Sequence, residues 1–220
     1  MELVNSSRRE LVEYVSGQLR HFFPDKHDNL VKSSIGRSID TAIERMRPSV
    51  KLSRMWPQNK FYYLHSNQYA VFLYYLANSV WREQKDAEVA SKIYSLNKAL
   101  NGLEIFYEIE MPAIFCITHS PGIVLSRAHY SDFLVLYQNS TVGRVHPEEL
   151  PKFEKGVVLY PNSAVIGKCH IKANSFIAQG QSVIDADTPG NCVVFNNAGQ
   201  LVFKEPKFDI MNYFFRMDEA

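Results

Sequence analysis

From Phe153 onward an apolar side chain recurs at every sixth residue: Leu159, Val165, Ile171, Ile177 and Val183. A helix repeats every 3.6 residues and a half-buried strand every two, so neither asks for this spacing. A chain of six-residue units, each a short strand and a bend, does ask for it. Three units close a triangular coil, the apolar residue points into the resulting prism, and stacked coils satisfy one another's backbone groups.

An earlier run, Val124, Tyr130, Leu136 and Val142, keeps the same spacing in a different phase. The polar stretch GRVHPEELPK between the runs reads as a loop that leaves the repeat and returns. Four residues after the inward positions come small side chains, Ala128, Ser140, Ser163, Cys169 and Ser175, where a larger group would strike the next coil at a corner. Asn162, Gly167, Asn174 and Gly180 fall where tight turns are needed. The pattern predicts a parallel β-helix of hexapeptide repeats over residues 105–195. Its open ends need covers. A helical domain over residues 1–104 can close one end, and the tail over residues 196–220 can close the other or pack along the side.

The first half has helical spacing. Leu11, Val12, Val15, Leu19 and Phe22 share a face that ends at Pro24-Asp25, and Val31, Ile35, Ile39, Ala42 and Met46 form a second stripe closed by Pro48. Tyr69, Phe72, Leu73, Leu76 and Val80 form a third, read as core packing rather than a ligand box. Asp86 caps a fourth helix with Val89, Ile93, Leu96 and Leu100 inward and Gly102 at its end. The fold class is therefore α+β, helices first and prism second.

Composition narrows the partners. A formal net charge of +1 gives no electrostatic case for nucleic acid or an anionic membrane. The apolar stretch Phe61–Trp81 carries His65, Ser66, Asn67, Gln68 and Asn78, too polar for a membrane span. Met1–Asn5 lacks the basic start of a signal peptide. Three cysteines without a CxxC or Cys/His cluster suggest neither zinc nor disulfides. These features read as a reduced, cytoplasmic protein.

The segments THSPGIVLSRAHYSDFLVLYQNSTVG and KGVVLYPNSAVIGKCHIKANSFIAQGQSVIDADTPGNCVVF, placed after helices, resemble the serine acetyltransferase branch of the hexapeptide-repeat acyltransferases. The resemblance spans Gln68–Phe195 and is strongest at His119–Val124 and Tyr137–Gly143. It implies a left-handed β-helix, a homotrimer that can pair through its helical domains, and acetyl-CoA bound between neighbouring prisms. It also implies that His119 acts as general base, without metal, in direct acetyl transfer to a hydroxyl. For CoA it implies backbone contacts at Gly143, Pro161 and Gln179 and a basic residue near the C-terminus, Lys204 or Lys207. A carboxylate orients the histidine in that family; here YEIEMP offers Glu108, with Glu110 as the alternative.

The acceptor half departs from the family pattern. Thr118 stands where serine-specific members carry Asp, and Glu149-Leu150 where they carry Arg-His. Arg144 and His146 on the loop are candidates to compensate. The amino and carboxylate groups of a free amino acid call for charged partners, so a sugar hydroxyl of a surface glycan or its precursor stands beside L-serine as acceptor. A catalytically silent prism used as a scaffold is the alternative class. A zinc hydratase would need converging histidines, and no close pair supplies metal-ligand spacing.

Overall fold

The computed structural model describes residues 1–219. Helix α1 (Arg8–Phe22) opens with a capping box, in which Ser7 Oγ accepts from Glu10 N–H while the Ser7 amide donates to Glu10 at 2.8 Å. α2 (Asp28–Leu52), α3 (Ser66–Gln84) and α4 (Ala87–Asn101) complete the domain. Asp86 caps α4, and Gly102 ends it in the left-handed region at φ 61°. Every residue of α3 from Gln68 to Val80 is buried, so the aromatic stripe is core.

Two helix expectations change. α2 continues through Pro48 to Leu52, because the turn beyond it is held by burial of Ser49, Val50 and Leu52. Ser49 Oγ also donates to Ala113 O (3.2 Å) and accepts from Phe115 N–H (3.1 Å), tying α2 to the prism. Phe22 and Leu100 face solvent, while Asn97 and Asn101 take inward places on α4.

The prism has three faces. The first contains Leu103–Ile105, Ile123–Leu125, Thr141–Gly143, Ala164–Ile166 and Ser182–Ile184, all parallel. The second contains Phe115–Ile117, Leu134–Leu136, Val157–Leu159, Ser175–Ile177 and Cys192–Asn197. The third is shorter, with Lys152–Phe153 paired to His170–Ile171 and His129 bridging Lys152. Five strands on the first face mark five coils.

Register stacks like on like. Val142, Val165 and Val183 form one internal column, and Leu136, Leu159, Ile177 and Val194 another. None is more than 1% exposed, so each contributes about 1.5–3 kcal/mol of apolar burial. Ser140, Ser163, Cys169 and Ser175 are buried at the corners, and Asn162, Gly167, Asn174 and Gly180 all have positive φ. Val124 breaks the expected run: it points outward at 39% exposure, and Leu125 fills the column in register with Val142. The corner from Leu125 to Tyr130 is one residue short, so counting back in sixes lands on the wrong neighbour.

The helical domain closes the first coil. Tyr74 Oη donates to Ile109 O (2.6 Å), Tyr75 Oη to Pro112 O (3.0 Å) and Asn78 Nδ2 to Tyr107 O (2.6 Å). The tail packs along the side. Cys192–Asn197 and Gln200–Lys204 form an antiparallel hairpin, after which the chain crosses the second face as α5 (Ile210–Phe214). Phe208 packs against Phe176 and Phe215 against Phe133, and the Cys116, Val135 and Val158 side chains of that face are buried. Phe215 then bridges Ser53, and the Arg216 guanidinium donates to the carbonyls of Lys51, Ser53 and Trp56 at the end of α2. Among the described residues, no helix is long and apolar enough to cross a membrane.

Leu159→Ala should cost about 2–5 kcal/mol in urea denaturation, whereas Val124→Ser should stay within about 0.5 kcal/mol. Equal costs would contradict the outward placement of Val124.

Candidate active site

Where the second face turns into the first, each coil makes a β-turn with one residue in the left-handed region: Gly122, Asn139, Asn162 and Gly180. These turns stack through their backbones. Asn139 N–H donates to Pro121 O (3.0 Å), Asn162 N–H to Gln138 O (3.1 Å) and Gly180 N–H to Pro161 O (3.0 Å). Residues far apart in sequence thereby share one edge, with His119, Pro161 and Gln179 on it. At about 4.8 Å per coil, the Gln179 turn lies about 14 Å from the Pro121 turn beside His119.

The corner carrying His119 is irregular. The later turns close with an amide bonding back three residues: Ser140 to Tyr137, Ser163 to Tyr160 and Gln181 to Ala178. At the first corner the same bond runs from Ile123 N–H to Ser120 O (3.2 Å). Ile117 pairs with Leu136 as Leu136 pairs with Leu159, yet five residues lead from Ile117 to Gly122 against three from Leu136 to Asn139 and from Leu159 to Asn162, so this corner carries two extra residues and bulges from the edge at His119. Such insertions re-aim a side chain out of a regular ladder. The His119 ring is exposed and, among the described residues, makes no hydrogen bond or ion pair. Thr118 faces the other way, its amide (3.0 Å) and hydroxyl (3.2 Å) both donating to Leu136 O.

Gly122 is required here. Its φ is 76°, and a Cβ would fall 2.0 Å from Asn139 Oδ1. Its amide donates to Gly102 O (3.0 Å), so the end of α4 serves this turn as Pro121, Gln138 and Pro161 serve the later ones.

The other expected residues are distributed as follows. Glu108, half-buried, forms an ion pair with Arg127, and Glu110 with Arg82 (3.0 Å) and Arg45 (3.8 Å). Among the described residues, no hydrogen bond or ion pair joins either carboxylate to His119. Arg144 and His146 are exposed on the loop, where Arg144 donates to Pro147 O (3.2 Å). Gly143 lies on the first face beside Ile166, away from the edge. Lys204 and Lys207 border a cleft of about 280 Å³ walled by Tyr160, Phe176, Phe195 and Phe208, with Lys204 Nζ 4.9 Å above the Phe195 ring. His170 faces outward, 2.7 Å from Glu154.

Sequence reasoning missed the tyrosines beside the edge. The Tyr137 and Tyr160 rings pack at 5.2 Å, tilted by 31°, and burial pushes the Tyr137 phenol up to about 12, so it stays protonated. The signal was present as LYQNS and LYPNS, the same phrase one coil apart. Cys116 is fully buried and its thiol is pushed to about 12, which leaves it a packing residue. Asp25, His27 and Glu88 cluster on the helical domain, where the Lys92 ammonium already bonds Asp25 and Glu88.

No family model and no curated relative matches the chain. Solved structures do. The chain has the serine acetyltransferase fold. The Vibrio cholerae serine acetyltransferase superposes with a TM-score of 0.72 over 98% of this chain and 86% of that one, at 17% identity. The Brucella abortus serine acetyltransferase in complex with coenzyme A gives 0.69 over 92% and 84% at 15% identity, and the Neisseria gonorrhoeae enzyme 0.67 over 93% and 82% at 15%. The likeness to serine acetyltransferases covers the helices as well as the prism, which a bare hexapeptide solenoid would not match.

Gly122→Ala should destabilise by about 3 kcal/mol or more, through backbone strain added to the Asn139 clash. Gly180→Ala, with φ 70° and open space around it, should cost only about 1–2 kcal/mol. Thermal melts of the two variants compare these values directly.

Proposed function

We propose that this protein transfers an acetyl group from acetyl-CoA to an uncharged hydroxyl, with His119 as general base. The carrying observation is one edge with an unencumbered imidazole near one end. An aromatic, lysine-bordered cleft lies toward the other end. The cleft suits a purine ring with its phosphates, and Pro161 and Gln179 lie between on backbone turns suited to an extended pantetheine arm. The Brucella abortus structure with coenzyme A supports this reading.

The chemistry uses few groups. The acceptor oxygen attacks the thioester carbonyl while a neutral imidazole nitrogen of His119 takes its proton. Backbone N–H groups at the bulge stabilise the oxyanion. As the intermediate collapses the C–S bond breaks, and the imidazolium returns the proton to the thiolate. Two products leave, the acetyl ester and free CoA, and His119 is neutral again.

The site's charge supports an uncharged acceptor. Glu108 and Glu110 are held by arginines, and Thr118 offers a hydroxyl already bonded within the chain. An amino acid's ammonium would find no free carboxylate there, and an unpaired buried charge is costly. A sugar hydroxyl of a glycan or its precursor fits better than L-serine. The uncovered first face, with Val124 and with Ile184 at 56% exposure, is the surface on which we place a second and third copy. A trimer would close the groove over the edge, with Arg144 and His146 reaching the acceptor.

Thiol release from acetyl-CoA over nucleotide sugars, oligosaccharides and L-serine tests the reading. His119→Ala should lower the rate at least about a hundredfold while CoA binding by calorimetry persists. Lys204→Ala should raise the KM for acetyl-CoA with little change in kcat. A wild-type chain that binds no CoA would leave only a scaffold.

A further inference from the structure

We infer that Asn67, in the first turn of α3, is a positioning residue for His119; this rests on the acetyl-transfer reading above. In the later corners the carbonyls of Tyr137, Tyr160 and Ala178 accept an amide from their own turn. Thr118 begins its corner as Tyr137 and Tyr160 begin theirs, its amide reaching the same rung of the next coil. The two-residue bulge moves the closing bond to Ser120, so the Thr118 carbonyl has no partner in its own turn. Asn67 supplies one: its Nδ2 donates to Thr118 O.

That bond holds the peptide joining Thr118 to His119. The turn is then fixed on three sides, by Leu136 O of the next coil, by Gly102 O at the end of α4, and by Asn67 at the start of α3. The first two are backbone acceptors and belong to the general stacking. Asn67 is a side-chain donor directed to the bulge itself. Its backbone is set by His65, whose ring accepts from Gln68 N–H at 3.4 Å, and by Gln68, whose amide donates to Lys60 O (2.9 Å) and accepts from Tyr62 N–H (2.8 Å). The helical domain thus reaches the catalytic histidine through a defined chain of hydrogen bonds, without touching the imidazole.

Asn67→Asp removes the donor at constant shape and sets a carboxylate against the carbonyl; Asn67→Ala removes the donor alone. Both should lower kcat about tenfold, leave the KM for acetyl-CoA within twofold, and keep the melting temperature close to wild type. In a His119→Ala background the same changes should leave the residual rate unmoved, since Asn67 acts through His119. Amide hydrogen exchange supplies a readout independent of turnover: the bonded amides of Thr118, Gly122 and Ile123 should exchange at least tenfold faster, and the turns at Asn139 and Asn162 should be unchanged. Unaltered exchange, or faster exchange with full kcat, overturns the role of Asn67. A wild-type protein that transfers no acetyl group to any acceptor, while both variants loosen the Thr118, Gly122 and Ile123 amides, overturns the acetyl-transfer reading and, with it, the catalytic sense of the positioning.

Discussion

The backbone rungs between successive coils are the constraint from which the rest follows. They lock the register, and the locked register puts Val142, Val165 and Val183 in one file and the corner turns in another. A linear repeat becomes a straight edge on which residues 119, 161 and 179 are neighbours by count of coils rather than by sequence. Such an edge suits the extended co-substrate proposed above.

The placement of the proposed general base depends on one departure from that regularity. At the first corner two extra residues push His119 outward, and the rung that an earlier coil would have provided comes from Gly102 at the end of α4. His119 therefore sits where solenoid and helices meet. There the backbone is least repetitive, and side chains such as Asn67 and Ser49 must supply hydrogen bonds that the repeat supplies elsewhere.

The prism was legible because period six is a strong signal carried by large buried side chains, and the second run, Phe153 to Val183, lies inside the column throughout. Val124 was misplaced because one corner is a residue short, a local change that a fixed period cannot register. Pro48 was read as a stop because propensity is local, while the contacts of Ser49 with the first coil are not. His119 was singled out by the resemblance at HSPGIV, and the reason for the glycine of that segment emerged only with Asn139 stacked above it. Glu108 looked available on paper, since a sequence does not show that Arg127 lies beside it. The cleft under the hairpin was not legible at all, because it depends on how a tail of aromatics folds back over the second face.

That returning tail has a mechanical consequence. A solenoid with a free end can fray coil by coil from its last turn. Here Phe215 and Arg216 are fastened to Ser53 and the end of α2, next to the first coil. The far end of the column is strapped back to its base, so the terminal coil cannot peel away until the strap lets go. Helices and prism are thereby coupled into a single cooperative unit.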